Sequence, residues 1–311
     1  MRTAILTITL NPSVDKSSSV DNIVPEKKLR CNAPKYEAGG GGINVSRALK
    51  RLDISSHTLF TSGGKTGRML EESLQLEGLD ILPVNIGSET RENFIVVDRS
   101  TTQQYRFGFP GDQVTPEEQK EILSRVDQLN PIPDFVVISG SLPIGVDPDF
   151  IRLLINTYKT KGSKVIVDTS GDALKAAVEE GLFLLKPNLG ELAALTGKDE
   201  LEDTDIDHAA RSIISQGKAV IVVVSLGAQG AILYSETEKI HMVPPVVKIR
   251  STVGAGDSMV AGMVSVLATQ GNMEEVLRKG IACGSATTMA EGTGLFAKKD
   301  VDRLLGGIRK Q

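Results

Sequence analysis

Short, nearly continuous apolar runs recur along the second half of this chain, separated by stretches with helical spacing. Asp134-Phe-Val-Val-Ile-Ser139, Lys164-Val-Ile-Val-Asp168, Leu182-Phe-Leu-Leu185 and Ala219-Val-Ile-Val-Val-Val224 show almost no alternation, as strands buried on both faces do. Helices are predicted over about 147–160 and 204–216, and two longer ones near 256–269 and 273–289 complete one face. Strands and helices in this order predict an α/β fold with a parallel sheet flanked by helices.

The first 110 residues behave differently. A strand over Ala4–Leu10 opens them, and α/β spacing returns with a helix at about 43–52, a strand at 57–61, a helix at 66–77 and a strand at 80–84. Residues 16–37 carry charge and short alternations without a helical face. Residues 92–109 alternate again, with Phe94 and Val96 set against Asn93 and Ile95, then Tyr105, Phe107 and Phe109 in step. Three of the twelve aromatic residues thus share one stripe. A small sheet with one apolar face is not stable uncovered. The expectation is one domain over 1–311 carrying a discontinuous antiparallel β lid, from about 14–38 and 90–110. The lid covers a site, pairs with a second subunit, or both.

Composition narrows the classes. The 311 residues can bury a full core, and the apolar fraction of 40% contains no Trp, so that core rests on Val, Ile, Leu and Ala. A formal charge of −4 argues against a broad nucleic-acid footprint. No run approaches a membrane span, and the N-terminal apolar stretch is too short and polar for a signal peptide. Cys31 and Cys283 lie far apart without CxxC spacing, which predicts reduced thiols in a cytoplasmic protein and gives a disulfide little support. His57, His208 and His241 match no metal-ligand spacing.

Chemistry concentrates at Ser251-Thr-Val-Gly-Ala-Gly-Asp-Ser-Met259. Small residues lead into Asp257 and then into an apolar helical run, so exposed N–H groups and one carboxylate meet at a helix N-terminus. The amides and helix dipole favour an anion, and the carboxylate can accept a proton from an alcohol. That pairing suits phosphoryl transfer to a sugar hydroxyl; alone, it reads equally as an N-cap Asp after a glycine turn. Ala38-Gly39-Gly40-Gly41-Gly42-Ile43-Asn44-Val45 brings bare backbone to the start of another helix, where an anion or polyol docks if the run is not simply a loop. Lys186-Pro-Asn-Leu-Gly-Glu191 follows a buried strand; Asn188 and Glu191 fit Mg²⁺ held through water, or a capping box. Ser225-Leu-Gly-Ala-Gln-Gly230 offers a turn for a nucleotide, though such turns are common. Gly63-Gly-Lys-Thr66 fails as a P-loop because Leu59 stands where the earlier glycine belongs.

Together Asn11-Pro-Ser-Val-Asp15, Gly39–Asn44, Lys186–Glu191 and Thr252–Asp257 resemble the ribokinase-like (PfkB) carbohydrate kinases, in order and spacing over essentially the whole chain. Lys28-Leu-Arg-Cys31, Gln104-Tyr-Arg-Phe107 and Ser139-Gly-Ser-Leu-Pro143 are most similar to the branch holding the minor, ribokinase-type 6-phosphofructokinase of enteric bacteria. Relatives acting on fructose 1-phosphate or tagatose 6-phosphate commonly carry Lys where this chain has Gly41.

The resemblance implies a ribokinase-like fold and ATP-dependent phosphorylation of fructose 6-phosphate at its 1-hydroxyl. Tagatose-6-phosphate kinase and 1-phosphofructokinase are the alternatives, and a non-catalytic sugar-phosphate-binding regulator stands further off. It implies Asp257 as base, with Gly254, Ala255 and Gly256 as the anion hole. Asp15, Gly39, Gly40, Gly41, Gly42, Asn44 and Ser139 would hold the sugar, Lys28 and Arg91 its phosphate, and Arg30 would reach across a dimer made lid against lid. Lys186, Asn188, Ser225, Gly227, Gly230 and Gly284 would line the ATP site, with Glu191 acting on Mg²⁺. A monovalent-cation site, for K⁺, is implied around Ser251, Val253, Thr287, Ala290 and Gly292. There Ala290 and Gly294 depart from the relative's polar and basic residues, a change that carbonyl ligands survive.

Overall fold

A computed structural model describes residues 4–311. The chain begins with β1 (Ile5–Thr9), and only Leu10, Asn11 and Pro12 separate it from β2 (Ser13–Val20). β3 (Lys35–Gly39), α1 (Gly41–Arg51), β4 (His57–Ser62), α2 (Gly64–Leu76) and β5 (Asp80–Asn85) follow. Next come β6 (Arg91–Asp98), β7 (Gln104–Phe107), α3 (Pro116–Asp127), β8 (Phe135–Ser139), α4 (Pro148–Thr160), β9 (Lys164–Asp168) and α5 (Gly171–Glu179). Then β10 (Leu182–Leu185), α6 (Leu189–Thr196), α7 (Asp203–Ser215), β11 (Ala219–Ser225), β12 (Ala231–Tyr234) and β13 (Lys239–Val243) lead to the C-terminal elements α8 (Ala255–Leu267), α9 (Met273–Thr288), α10 (Lys298–Leu305) and β14 (Arg309–Lys310).

Ten strands form one sheet in the order β14-β13-β12-β11-β10-β9-β8-β1-β4-β5. From β11 to β5 every pairing is parallel, and β12, β13 and β14 extend the β11 edge antiparallel. Period-two alternation divides the apolar runs between two cores. Leu6, Ile8, Val136, Ile138, Val165 and Val167 pack with residues of α3 to α7. Ile5, Phe135, Val137, Ile166, Ile221 and Val223 face α1, α8, α9 and α10. With both faces covered, the expected continuous apolar strands are what such a sheet requires.

The small sheet runs β3-β2-β6-β7. Its outer pairs are antiparallel, but the central pair, β2 with β6, is parallel over Ser13↔Arg91 to Val20↔Asp98, a correction to a purely antiparallel lid. The reason is topological. β2 and β6 each leave the large sheet directly, after β1 and β5, and so run outward together; β3 and β7 return. Tyr36, Tyr105, Phe107 and Phe109 remain exposed, Phe107 at 52%, and Phe94 meets Phe109 edge to face at 5.7 Å. The aromatic stripe of the sequence is therefore an uncovered surface of this chain.

Candidate active site

Functional side chains converge where strands of the large sheet end at their carboxyl termini, the position at which open α/β sheets bind ligands. Ser139 ends β8, Asp168 ends β9, Lys186 follows β10 and Ser225 ends β11. Opposite them α8 begins. Its N-cap, Gly254, sits at φ 70°, and no side chain caps the helix; in its first turn the Ala255 amide makes only a long bond, 3.4 Å, to the Thr252 carbonyl. Asp257 lies in that turn, half-buried.

Two side chains donate to Asp257: Asn44 Nδ2 to Oδ2 at 3.0 Å, and Ser139 Oγ to Oδ1 at 3.5 Å. Burial, and then the neighbouring Asp168 carboxylate, push the Asp257 pKa up to about 7 against the opposing pull of Asn44, Lys186 and Ser139. Lys186, only 6% exposed, places Nζ 3.3 Å from Asp168 Oδ1. Burial works against its charge, but Asp168, Glu191 and Asp257 outweigh it and raise its pKa. The ammonium therefore stays protonated between the sheet and the α8 amides.

The glycine run is explained by close approach. A Cβ at Gly41 would lie 2.2 Å from Ser139 Oγ and 2.8 Å from the Gly140 nitrogen. At Gly40, where φ is 121°, it would lie 2.8 Å from Thr9 Cγ2; Gly39 abuts Ser13 and Asp15, and Gly42 abuts Thr9 and the Ile8 carbonyl. Asp15, 7% exposed, accepts from Ser13 Oγ at 2.8 Å and Asn93 Nδ2 at 2.9 Å through one oxygen. Arg91, at the root of β6, donates to the carbonyls of Asn11 and Phe109 and to Asn93 Oδ1, and burial lowers its pKa. Lys28 and Arg30 are not brought in. Both stand exposed on the connection between β2 and β3, with no hydrogen bond or ion pair among the described residues.

On the nucleotide side, Asn188 caps α6 and forms a reciprocal capping box with Glu191, each side chain accepting from the other's amide at 2.9 Å. Burial raises the Glu191 pKa, and its second oxygen is not engaged by the box. Ser225 bridges to Asn188 through backbone pairing. Gly227 is open, whereas a Cβ at Gly230 would strike the Met242 carbonyl at 1.9 Å and one at Gly284 would come within 3.2 Å of the Ala255 carbonyl. The last two glycines thus serve close packing, Gly284 by letting α9 reach the start of α8.

Of the residues expected around a monovalent cation, Ser251 and Val253 lie against the C-terminal end of α9, which carries Thr287, and Ala290 follows it. The amides of Arg250 and Ser251 donate to the Thr288 carbonyl, Val253 N donates to Ser251 Oγ at 3.3 Å, and Ala290 N donates to the Thr287 carbonyl. The Thr287 hydroxyl bonds Ser258 Oγ at 2.7 Å, and Gly292 takes φ 63° beside Glu37 of β3. Asp168, Asn93 and Arg106 were not among the expected site residues. Asp168 had a signal, a carboxylate closing an apolar strand; Arg106 of β7, reaching Thr252 Oγ1 at 3.3 Å, had none beyond its place in the lid.

A model of the pfkB family carbohydrate kinases matches residues 4–300. The chain is 42% identical over 301 residues to ATP-dependent 6-phosphofructokinase isozyme 2 of Escherichia coli strain K12, covering 96% of this chain and 97% of that one. It is 38% identical to the isozyme 2 enzyme of Mycobacterium tuberculosis strain H37Rv, covering 96% and 88%. Identity to the 1-phosphofructokinase of Bacillus subtilis is 33%, covering 98% of each. The crystal structure of Escherichia coli phosphofructokinase-2 in complex with substrates and products superposes with a TM-score of 0.94 at 42% identity, over 98% of this chain and 99% of that one. Other structures of that enzyme are a complex with potassium and a tetrameric inhibited form. Family model, relatives and fold agree: this chain belongs to the pfkB family of carbohydrate kinases.

Proposed function

We propose that this protein transfers the γ-phosphoryl group of ATP to the 1-hydroxyl of fructose 6-phosphate, giving fructose 1,6-bisphosphate. The observation that carries the reading is Asp257, half-buried beside the uncapped amides of α8 and held by Asn44 and Ser139. With a pKa near neutrality its carboxylate is poised to take the hydroxyl proton. The amides of Ala255, Gly256 and Asp257 face charge that builds on the phosphoryl oxygens in a loose transition state, and Lys186 adds a fixed cation beside them. Holding donor and acceptor in line supplies much of the remaining rate.

Asp15 and the backbone of the Gly39–Gly42 run hold the sugar, and Arg91 binds its phosphate. Gly41 supports fructose 6-phosphate over the substrates of 1-phosphofructokinases and tagatose-phosphate kinases, because relatives acting on fructose 1-phosphate or tagatose 6-phosphate commonly carry Lys at this position. A binding protein without catalysis would need no carboxylate in this position. Lys28 and Arg30, exposed on the lid connection, complete the phosphate pocket from a neighbouring subunit across a lid-to-lid dimer.

Mg²⁺ fits the donor set. Asp168 and Glu191 stand on either side of Lys186 as oxygen donors of the kind Mg²⁺ takes, usually through water. Glu191 and Asp168 are the carboxylates to orient such waters, and the ion would neutralise phosphate charge. The carbonyl-rich loop around Ser251, Val253, Thr287, Ala290 and Gly292 suits K⁺, in keeping with the potassium complex of the Escherichia coli relative. No helix among the described residues is long and apolar enough to cross a membrane, and Cys31 and Cys283 are unpaired. The unpaired cysteines accord with a cytoplasmic enzyme.

Asp257→Asn tests the reading. Loss of the base should lower kcat by at least about 10²–10⁴-fold with the fold retained. An ADP-release assay across fructose 6-phosphate, fructose 1-phosphate and tagatose 6-phosphate should show the first as the preferred acceptor. Near-native turnover by the variant would remove Asp257 from the chemistry.

A further inference from the structure

Arg47 of α1 is a buried guanidinium, 4% exposed, that the proposed chemistry does not use. Its Nε lies 3.0 and 2.9 Å from the two oxygens of Glu77, at the end of α2. Its Nη1 donates to the Ala38 carbonyl at 3.0 Å and to Asn44 Oδ1 at 3.4 Å. Burying an ion pair is weak support for stability, since apolar residues of similar volume often do as well. What the pair contributes must be sought in the geometry it imposes.

We infer that Arg47 is a positioning residue that fixes the amide of Asn44, and through it the carboxylate of Asp257, in the arrangement proton transfer needs. This rests on the reading of Asp257 as the base. A guanidinium only donates hydrogen bonds and an ionised carboxylate only accepts them. Asn44 stands between the two, Oδ1 toward Arg47 and Nδ2 toward Asp257 Oδ2 at 3.0 Å. Turning the amide over would set its NH₂ against the guanidinium and its carbonyl against the carboxylate, so one orientation satisfies both neighbours. With Oδ2 tied in this way, Oδ1 is left to Ser139 and the acceptor. The same Nη1 holds Ala38, the residue before the glycine run. One side chain thereby locks the sugar cradle and the base into a common frame.

The charges around this relay are few. Asp168 and Lys186 face Asp257 from the sheet. Glu77 pairs with Arg47, and Arg51 on the next turn of α1 feels the charges of Arg47, Glu77 and Glu37 of β3. By donating to the charged form, Asn44 draws the Asp257 pKa down against burial. Loosening Asn44 should therefore let it rise, and the acid limb of kcat/KM, where a base is lost to protonation, should move to higher pH.

The test measures kcat/KM for fructose 6-phosphate against pH in Arg47→Lys and Arg47→Met, each also placed in an Asn44→Ala background. Both single variants should lose about tenfold at neutral pH and shift the acid limb upward by about half a unit. In the Asn44→Ala background the Arg47 changes should no longer move the limb. The same midpoint can be read without turnover, from the pH dependence of Tm relative to each variant's Asp257→Asn counterpart, and Arg47→Lys keeps a cation beside Glu77 should Arg47→Met not fold. An unmoved midpoint, or a shift that persists undiminished without Asn44, would overturn the inference. If instead Asp257→Asn keeps native turnover, it is the assignment of the base that fails.

Discussion

Replacing Gly41 with Ala adds one methyl group where the backbone leaves no room. The new Cβ would sit 2.2 Å from Ser139 Oγ, 2.8 Å from the Gly140 nitrogen and 2.9 Å from the Ser139 carbonyl carbon. The hydroxyl can rotate, but the two backbone atoms belong to the end of β8 and cannot yield without shifting a central strand. Overpacking of this kind costs about 1–3 kcal/mol. At about 2–4 °C per kcal/mol, Tm should fall by roughly 2–12 °C. Activity should suffer separately, because Ser139 Oγ is one of the two donors to Asp257. A hydrogen bond to a charged group contributes about 1.5–3 kcal/mol, and at 3.5 Å this one belongs at the low end, which predicts a loss of about tenfold in kcat/KM for fructose 6-phosphate. Differential scanning fluorimetry and steady-state kinetics check the two effects. A Ser139→Ala background should return part of the Tm loss, since it removes the hydroxyl and leaves the backbone. If Gly41→Ala kept Tm within about 1 °C and kcat/KM within about twofold, the close approach of α1 to β8 would not be what the glycine serves.

Further outcomes follow from the same geometry. Arg91→Ala should raise KM for the phosphorylated sugar far more than KM for ATP; equal changes in steady-state assays would take Arg91 out of the phosphate pocket. For Asp257, whose pKa rises on folding from 3.8 to about 7, the folded state binds the extra proton between those values, so stability falls as pH rises through that window. Asp257→Asn should accordingly melt higher than the parent at pH values above 7 and lose that advantage in acid, whereas a lower Tm at every pH would contradict the burial argument. Phe107→Asp, placed on the uncovered face of the small sheet, should shift the protein toward monomer in sedimentation velocity. An unchanged assembly would move the subunit contact elsewhere.

The large sheet is legible in the sequence because strands buried on both faces need apolar side chains at every position, as Val136-Val137-Ile138 and Val222-Val223-Val224 show. Asp257 and the glycine run are legible for a related reason, since both break the rules of the elements that contain them. The central pair of the small sheet is not: the direction of β6 against β2 depends on which part of the fold each leaves, and no local pattern records that. α3 lay outside the expected helices because its fully buried apolar positions are just Ile122 and Val126, although Thr115-Pro-Glu-Glu118 carries a capping-box start. Asn188 and Glu191 show the opposite limit. Their spacing fits a metal and a cap equally, and the structure engages them in the cap while leaving one Glu191 oxygen for other work. Lys28 and Arg30 are exposed on the connection between β2 and β3, so no packing within this fold carries a signal for them.

Leu10, Asn11 and Pro12 make β1 and β2 almost one ribbon crossing from the large sheet to the small one. Pro12 locks its own φ and keeps Asn11 extended, so few soft torsions remain in the crossing. Asn11 is further pinned, its side chain to Pro110, Ser141 and Leu142 and its carbonyl to Arg91. In mechanical terms the small sheet is a stiff arm and Asn11 its fulcrum. Arg91 pairs with Ser13 beside that fulcrum, while the far end of the arm, where Val20 meets Asp98, lies seven residues on. At about 3.4 Å per residue, a tilt of about 5° at the fulcrum carries the far end about 2 Å. Any tilt beside Arg91 would therefore be largest at the far end of the small sheet, by Val20 and Asp98.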